Sequence, residues 1–228
     1  MRAVSHNVAK DLGPRACHQA LARVLEQNPT VAALQEWPGG LRPLKRSGTV
    51  IKHPWARRKA RRDYPTGGIV WAVAPRAGGL PVGVRAKWGE IRSVRRVTLV
   101  RGTQDTRATV ASEVIVRRPN GTEQAILNTH LLVPKRSTAN RRAHGEGTDA
   151  IRGWVRGQHA ASRKTIVILD ANEHLYDIPE LVSCWDGHEP LETGPGGLTI
   201  DVILREREAD DVDVFVTASD HNGVTATY

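Results

Sequence analysis

Short apolar runs bounded by turn residues recur along the whole chain. Runs of this kind are typical of buried strands. They predict strands over residues 2–7, 31–35, 68–74, 95–100, 110–117, 124–129, 165–169, 199–204, 212–217 and 223–227. Helical periodicity is clear in only two places: residues 14–27, with Pro14 near the start, and a stretch from Thr148, the predicted N-cap, to about His159. The basic segment 137–147 is predicted to be a surface loop.

Many strands with two helices, and no internal repeat or linker, predict one domain over residues 1–228. The expected class is α/β (α+β), a two-sheet β-sandwich with flanking helices packed outside. No leader and no long apolar stretch is present, so we expect a cytoplasmic protein. The two cysteines, Cys17 and Cys184, have no partner pattern and are expected to be reduced.

Five of the apolar runs end in polar clusters. The clusters are Asn7, Gln35-Glu36, Asn128-Thr129-His130, Asp170-Ala171-Asn172 and Ser219-Asp220-His221. Buried strands do not normally finish in carboxylates, amides and imidazoles, because unpaired polar groups are costly there. These endings indicate that the strands deliver their last side chains to one shared pocket. Its chemistry suits a hard metal ion and a phosphate.

Each cluster also has a purely structural interpretation. Glu36 at a strand end could pair with Arg42 or face solvent. An Asp-x-Asn sequence such as Asp170 to Asn172 often closes an Asx turn. A lone strand histidine such as His130 is commonly a satisfied core residue. On these residues alone both interpretations stay open.

The order of the clusters and their residues resemble the motifs of the endonuclease/exonuclease/phosphatase superfamily, whose members share the fold of deoxyribonuclease I. The motifs that carry the resemblance are His6-Asn7, Gln35-Glu36, Thr129-His130-Leu131, Leu169-Asp170-Ala171-Asn172, Ile200-Asp201-Val202-Ile203 and Ser219-Asp220-His221. They run from residue 4 to residue 224. The resemblance implies a four-layer, deoxyribonuclease I-like sandwich.

The resemblance also implies roles around one metal ion, Mg²⁺ or Mn²⁺. Glu36 would be the metal ligand, with the amide of Asn7 beside it, and Asp220 would reach the metal region. Asp170 would orient or deprotonate the attacking water, or protonate the leaving oxygen. Asn172 would donate to a non-bridging oxygen.

Two histidines complete the site implied by the resemblance. His221 would act as the general base or as the cation that stabilises the pentavalent state, with Asp201 as its carboxylate partner. His130 would donate to the scissile phosphate. The acid that pairs with this second histidine in the family has no clear counterpart here, and His6 replaces the usual Trp before the first Asn.

Charge is distributed unevenly along the chain. The net charge is +9, yet only two of the 33 Lys and Arg residues lie in residues 170–228, where most of the Asp and Glu residues are found. A GC-rich coding bias would explain Arg in place of Lys but not the excess of base over acid, so a polyanionic partner is the better explanation. The candidate nucleic-acid contacts are Lys52, Trp55, Arg57, Arg58, Lys59, Arg61, Arg62, Arg141 and Arg142. A solvated loop is the alternative for such a run.

The sequence therefore predicts a monomeric, metal-dependent phosphodiesterase, an endo- or exonuclease acting on DNA rather than RNA by in-line attack of an activated water. One alternative is a phosphatase or phospholipase C-like enzyme on lipid or small-molecule phosphate esters. Another is a nucleic-acid-binding module that has lost catalysis.

Overall fold

The architecture is taken from a computed structural model, which describes residues 1–9, 12–38, 42–51, 68–77 and 79–228. The described residues form three α-helices, which are α1 (Pro14–Glu26), α2 (Arg42–Ser47) and α3 (Thr138–Ala160). The strands are β1 (Arg2–Asn7), β2 (Val31–Gln35), β3 (Gly48–Ile51), β4 (Ile69–Ala72), β5 (Val82–Arg85), β6 (Glu90–Val100), β7 (Thr109–Arg117), β8 (Glu123–His130), β9 (Lys164–Asp170), β10 (Val182–Ser183), β11 (Asp201–Arg205), β12 (Asp211–Phe215) and β13 (Gly223–Thr227).

The strands form two mixed sheets. The first has seven strands in the order β12-β13-β1-β2-β5-β4-β3, and the second has six in the order β10-β11-β9-β8-β7-β6. The inner faces of both sheets share one apolar core, to which β1 contributes Ala3, β8 Ile126 and β9 Ile166 and Ile168. The predicted two-sheet sandwich is confirmed.

The two long helices cover the outer faces of the sandwich. Helix α1 packs Cys17, Leu21 and Val24 against the outer side of the seven-stranded sheet. Helix α3 turns Ile151 and Val155 toward the six-stranded sheet. Both helices connect parallel strand pairs, which need such a crossover. No helix in the described part of the chain is long and apolar enough to cross a membrane.

The parallel pairs explain why polar strand ends gather at one edge. Strands β1 and β2 are parallel, with Asn7 opposite Gln35. Strands β8 and β9 are parallel, with His130 opposite Asp170. Strand β11 runs antiparallel to β9 and begins at Asp201, opposite Asp170. Each sheet therefore presents its polar ends at the same edge of the sandwich.

The predicted loop at 137–147 is wrong, because α3 begins at Thr138. Ser137 is the N-cap, and its side chain accepts a hydrogen bond from the backbone N–H of Asn140 at 3.0 Å. Thr148 is an interior residue that donates its hydroxyl to the carbonyl of His144. The two glycines and the dense arginines hid this first half of the helix from the sequence pattern.

Helix α2 and strand β5, both short, had no clear signal in the sequence. Strand β6 was predicted, but it begins at Glu90 rather than at residue 95. Strand β5 lies between β2 and β4, so its buried position depends on partners distant in the sequence. Propensity within a four-residue window could not identify it.

Candidate active site

A buried carboxylate–histidine pair lies at the polar edge of the sandwich. His221 donates from Nδ1 to Asp201 Oδ2 at 2.9 Å. Asp201 is fully buried, and His221 retains 8% of its accessible surface. This contact fixes the ring so that Nε2 faces the cavity, 3.9 Å from Asp170 Oδ2. The partnership predicted for these two residues is present in the structure.

Backbone contacts hold both members of the pair. The hydroxyl of Thr193 accepts hydrogen bonds from the N–H groups of Ile200 and Asp201, each at 3.0 Å. The hydroxyl of Ser219 accepts from the N–H of His221 and donates to the carbonyl of Asn7 at 2.8 Å. Ser219 thus ties the loop that carries His221 to the end of β1.

The electrostatics of the pair favour a charged histidine. Burial lowers the pKa of His221, but the hydrogen bond to Asp201 and the nearby carboxylates outweigh it and raise the pKa to about 9. Burial, followed by the charge of Asp170, raises the pKa of Asp201 to about 7. Because the pair is joined by a charge-assisted hydrogen bond, we place the proton on the imidazole.

Asp170 lies at the centre of the site with both carboxylate oxygens engaged. Oδ2 accepts from the Asn7 side chain at 2.7 Å, and Oδ1 accepts from the backbone N–H of Asn172 at 2.9 Å. The side-chain oxygen Oδ1 of Asn7 accepts from the backbone N–H of Ala9. The amide of Asn172 donates to the carbonyl of Leu131. Asp170 and Asn172 therefore form an Asx turn, and both residues also line the shared pocket.

His130 lies between two carboxylates. Its Nδ1 is 3.4 Å from Glu36 Oε1, and its Nε2 is 3.5 Å from Asp170 Oδ2. Burial nevertheless lowers the pKa of His130, and the charges of Arg107 and His221 act in the same direction. Glu36 itself has a left-handed backbone with φ of 51°, which turns it out of β2. Glu36 supplies the acid beside His130 that the sequence pattern lacked.

These side chains line one cavity of about 420 Å³. Of the predicted catalytic and metal-binding residues, it brings together Asn7, Glu36, His130, Asp170, Asn172, Asp220 and His221. Asp201 lies behind His221. Two arginines, Arg107 and Arg136, also line it. Arg107 had no motif to indicate it, whereas Arg136 stands beside Lys135 in a basic stretch shortly after His130.

Other predicted residues lie elsewhere. Arg141 and Arg142 are exposed on the first turns of α3 and do not line this cavity. The guanidinium of Arg142 lies 3.7 Å from the carboxylate of Glu146. The basic candidates Lys52, Trp55, Arg57, Arg58, Lys59, Arg61 and Arg62 fall outside the described residues.

One polar cluster has a structural function instead. Gln35 donates to the side-chain oxygen of Asn128 at 2.9 Å, and Asn128 donates to the carbonyls of Leu34 and Pro81. These contacts join the two sheets within the sandwich. Both amides are fully buried, and neither lines the cavity.

The donor set fits a hard cation. Glu36, Asn7, Asp170 and Asp220 offer carboxylate and amide oxygens to the same cavity, which is the ligand type that Mg²⁺ prefers. The buried group Asp170, Asp201 and His221 could also hold a metal, since one ligand atom of each lies within 4.8 Å of the others. Its imidazole Nδ1 is already bonded to Asp201, and deep burial leaves little space for the waters that Mg²⁺ retains.

The fold matches solved structures of endonuclease/exonuclease/phosphatase proteins. Truncated TDP2 from Caenorhabditis elegans is similar at 14% identity and a TM-score of 0.66, over 99% of this chain and 95% of that chain. A family protein from Bacteroides thetaiotaomicron is similar at 14% and 0.68, over 99% and 96%. A mannosyl-6-phosphatase from the same bacterium is similar at 12% and 0.68, over 99% and 98%.

No family model matches the sequence, and no curated protein matches it significantly. The structural likeness spans almost the whole chain. At these identities it establishes the fold, so the deoxyribonuclease I-like architecture expected from the sequence motifs is confirmed.

Proposed function

We propose that the chain is a metal-dependent phosphoesterase of the endonuclease/exonuclease/phosphatase superfamily that hydrolyses phosphodiesters of nucleic acid, with DNA favoured. The observation that carries this proposal is the convergence of both sheets on one cavity. There Asp170 is held between Asn7 and two histidines, and His221 is held by Asp201. The same residue types in the same order support membership of the superfamily.

The charge of the cavity supports a requirement for a cation. Glu36, Asp170 and Asp220 line it, and Asp201 lies directly behind. These carboxylates repel an entering phosphate group, and a bound cation would add to the positive charge of Arg107, Arg136 and His221 in offsetting that repulsion. Glu36, with Asp220 as the second predicted ligand, would hold a Mg²⁺ or Mn²⁺ ion. When bound, the ion would neutralise charge on the phosphoryl oxygens.

Three side chains of the chain itself carry out the remaining steps. Asp170, fixed by hydrogen bonds from Asn7 and Asn172, orients a water for in-line attack and accepts its proton. His221 turns Nε2 toward the phosphate, because Asp201 occupies Nδ1, and donates to a phosphoryl oxygen. His130 lies on the opposite side of Asp170 and donates to another oxygen of the same group.

The cationic rim supports a polyanionic substrate. Arg107 and Arg136 line the cavity, and neither forms a salt bridge within the described part of the chain. Arginines that lack carboxylate partners can neutralise phosphates on either side of the scissile bond. A small phosphate ester, the substrate class of the mannosyl-6-phosphatase neighbour, would need only the central cavity.

A substrate panel tests the proposal. Wild-type chain and His221→Ala would be incubated with supercoiled plasmid, single-stranded DNA, RNA and 4-nitrophenyl phosphate, with Mg²⁺ and with EDTA. We expect Mg²⁺-dependent cleavage of DNA by the wild type alone. Hydrolysis of the monoester without cleavage of any nucleic acid would refute the diesterase assignment.

A further inference from the structure

A second cavity, of about 280 Å³, adjoins the catalytic one. The two share Glu36, Arg107 and His130 as a common wall. A group covalently attached to a phosphate in the catalytic cavity would therefore reach the second cavity directly.

The walls of the second cavity are largely apolar. They are formed by Trp37, Pro38, Leu80, Val110 and Leu132. Trp37, Leu80 and Leu132 are each less than a tenth exposed, so the packing around them fixes the shape of the cavity. The backbone N–H of Trp37 donates to the carbonyl of Gly79 at 3.0 Å and joins two of the lining segments. The cavity is thus formed by well-packed parts of the fold.

Four polar or charged residues interrupt the apolar lining: Thr109, and Glu36, Arg107 and His130 in the shared wall. Thr109 is 3% exposed, and its hydroxyl has no hydrogen-bond partner among the described residues. With less than 1 Å² of accessible surface, that hydroxyl is shielded from the cavity, so the polar contacts open to a ligand come from the wall shared with the catalytic cavity. Arg107 lies at the boundary with the catalytic cavity, and its charge acts on His130.

We propose that this cavity is a base-binding subsite, which seats the nucleobase of the nucleotide whose phosphate enters the catalytic cavity. This inference rests on the proposed function and specifies its substrate. A volume just below that of sites for drug-sized ligands, about 300–1,000 Å³, suits one planar ring system rather than a whole nucleotide. Apolar walls with few polar groups suit a base, which has apolar faces and hydrogen-bonding edges.

The lining is less suited to other attached groups. A sugar carries hydroxyls around its ring, and most of the wall offers them no hydrogen-bond partner. The cationic boundary at Arg107 instead suits a base joined to a phosphodiester backbone, because a guanidinium can stack on the base or contact the phosphate.

Calorimetry with two probes tests the subsite. Binding of adenosine 5′-monophosphate and of ribose 5-phosphate, which lacks the base, would be measured for the full chain with Mg²⁺. We expect the wild type to bind the nucleotide about tenfold more tightly, as base contacts of this kind predict. Ala108→Trp, at an exposed position in the lining, should remove this difference and leave the affinity for ribose 5-phosphate unchanged.

Two further variants separate the subsite from general disturbance. Ala161→Trp, at an exposed position just after α3, is the matched control and should keep the wild-type preference. Thr109→Val, which replaces a hydroxyl shielded from the cavity by a methyl group, is a second control and should also keep the wild-type preference. Equal affinity of the wild type for the two probes would overturn the subsite, as would an Ala108→Trp variant that keeps the preference.

The proposed activity and the proposed subsite can be tested separately. Cleavage of an oligonucleotide by the wild type would be measured in parallel. Base-dependent binding without cleavage in Mg²⁺ or Mn²⁺ would overturn the proposed function and leave the subsite in place. Cleavage without base-dependent binding would overturn the subsite alone.

Discussion

Replacement of Asp201 by Asn isolates the charge behind His221. The amide is close in size to the carboxylate and still offers an oxygen to His221 Nδ1, so the ring can keep its orientation. Only the negative charge is lost. Asp211→Asn, at an exposed position at the start of β12, is the matched control because it removes the same charge far from the buried pair.

The structure gives the size of the expected effect. The pKa of His221 is raised from the ordinary 6.5 to about 9, which corresponds to about 3 kcal/mol of preferential binding of the proton. Without the Asp201 charge, burial dominates and the pKa should fall to 6.5 or below. At neutral pH the imidazole would then be largely uncharged. Turnover should fall by about 10²–10⁴-fold, the usual contribution of such a group.

The assay is an NMR titration of the His221 ring in the wild type, Asp201→Asn and Asp211→Asn, together with turnover of a DNA substrate at saturating Mg²⁺. In Asp201→Asn the ring is expected to titrate at lower pH and turnover to be slower, whereas Asp211→Asn should match the wild type. An unchanged His221 titration, or near-normal turnover in a folded Asp201→Asn variant, would refute the assigned pairing.

The raised pKa of His221 also predicts how the free energy of unfolding depends on pH. Because the pKa of His221 is higher in the folded than in the unfolded chain, the stabilisation from its charged ring is fully present below about pH 6.5 and is lost as pH rises to about 9. The difference in unfolding free energy between the wild type and Asp201→Asn should narrow over that window. Urea unfolding at several pH values measures it, and a widening difference would contradict the assignment.

Three further perturbations address other parts of the site. Asp170→Asn should lower turnover by about 10²–10⁴-fold while the melting temperature stays near that of the wild type, and a rate within a few-fold of normal would place the proton acceptor elsewhere. Glu36→Gln should raise the Mg²⁺ concentration needed for half-maximal activity by about tenfold or more, and an unchanged requirement would favour the buried Asp201 group as the metal site. Arg107→Gln and Arg136→Gln should each flatten the dependence of DNA affinity on salt by roughly 0.7–0.9 log units, and an unchanged slope would show that they do not contact phosphates.

Much of the site was predictable because it depends on strand ends. The polar residues that end the apolar runs, such as Asn7 and Asp170, indicated a shared pocket. The parallel pairs β1–β2 and β8–β9 show how these strand ends reach a common edge. The position of His221 against Asp201 was predicted through the family resemblance, and the 2.9 Å contact agrees with it.

Other features depend on tertiary contacts that no local pattern encodes. Arg107 enters the cavity from the connection between β6 and β7, and nothing in its neighbouring residues distinguishes it from other surface arginines. The carboxylate beside His130 was predicted to be missing because the expected acid was sought in another segment. Glu36 occupies that place only because its left-handed backbone turns the side chain toward His130.

The first half of α3 shows a limit of a different kind. Its glycines and exposed arginines obscure a packed face made of small or polar residues, because Ala143, His144 and Gly147 are buried and Ala143 packs with Val100 and Leu132. Helix formation there follows from the Ser137 cap, from this packing and from continuity with the buried turns around Ile151.

Cleavage of a labelled single-stranded DNA by the metal-depleted chain, before and after addition of Mg²⁺, tests the central proposal most directly. We expect no cleavage in EDTA, full cleavage on addition of Mg²⁺, and loss of that cleavage in Asp170→Asn. Undiminished cleavage after thorough removal of metal, or none with Mg²⁺ or Mn²⁺, would contradict a metal-dependent phosphodiesterase at this site.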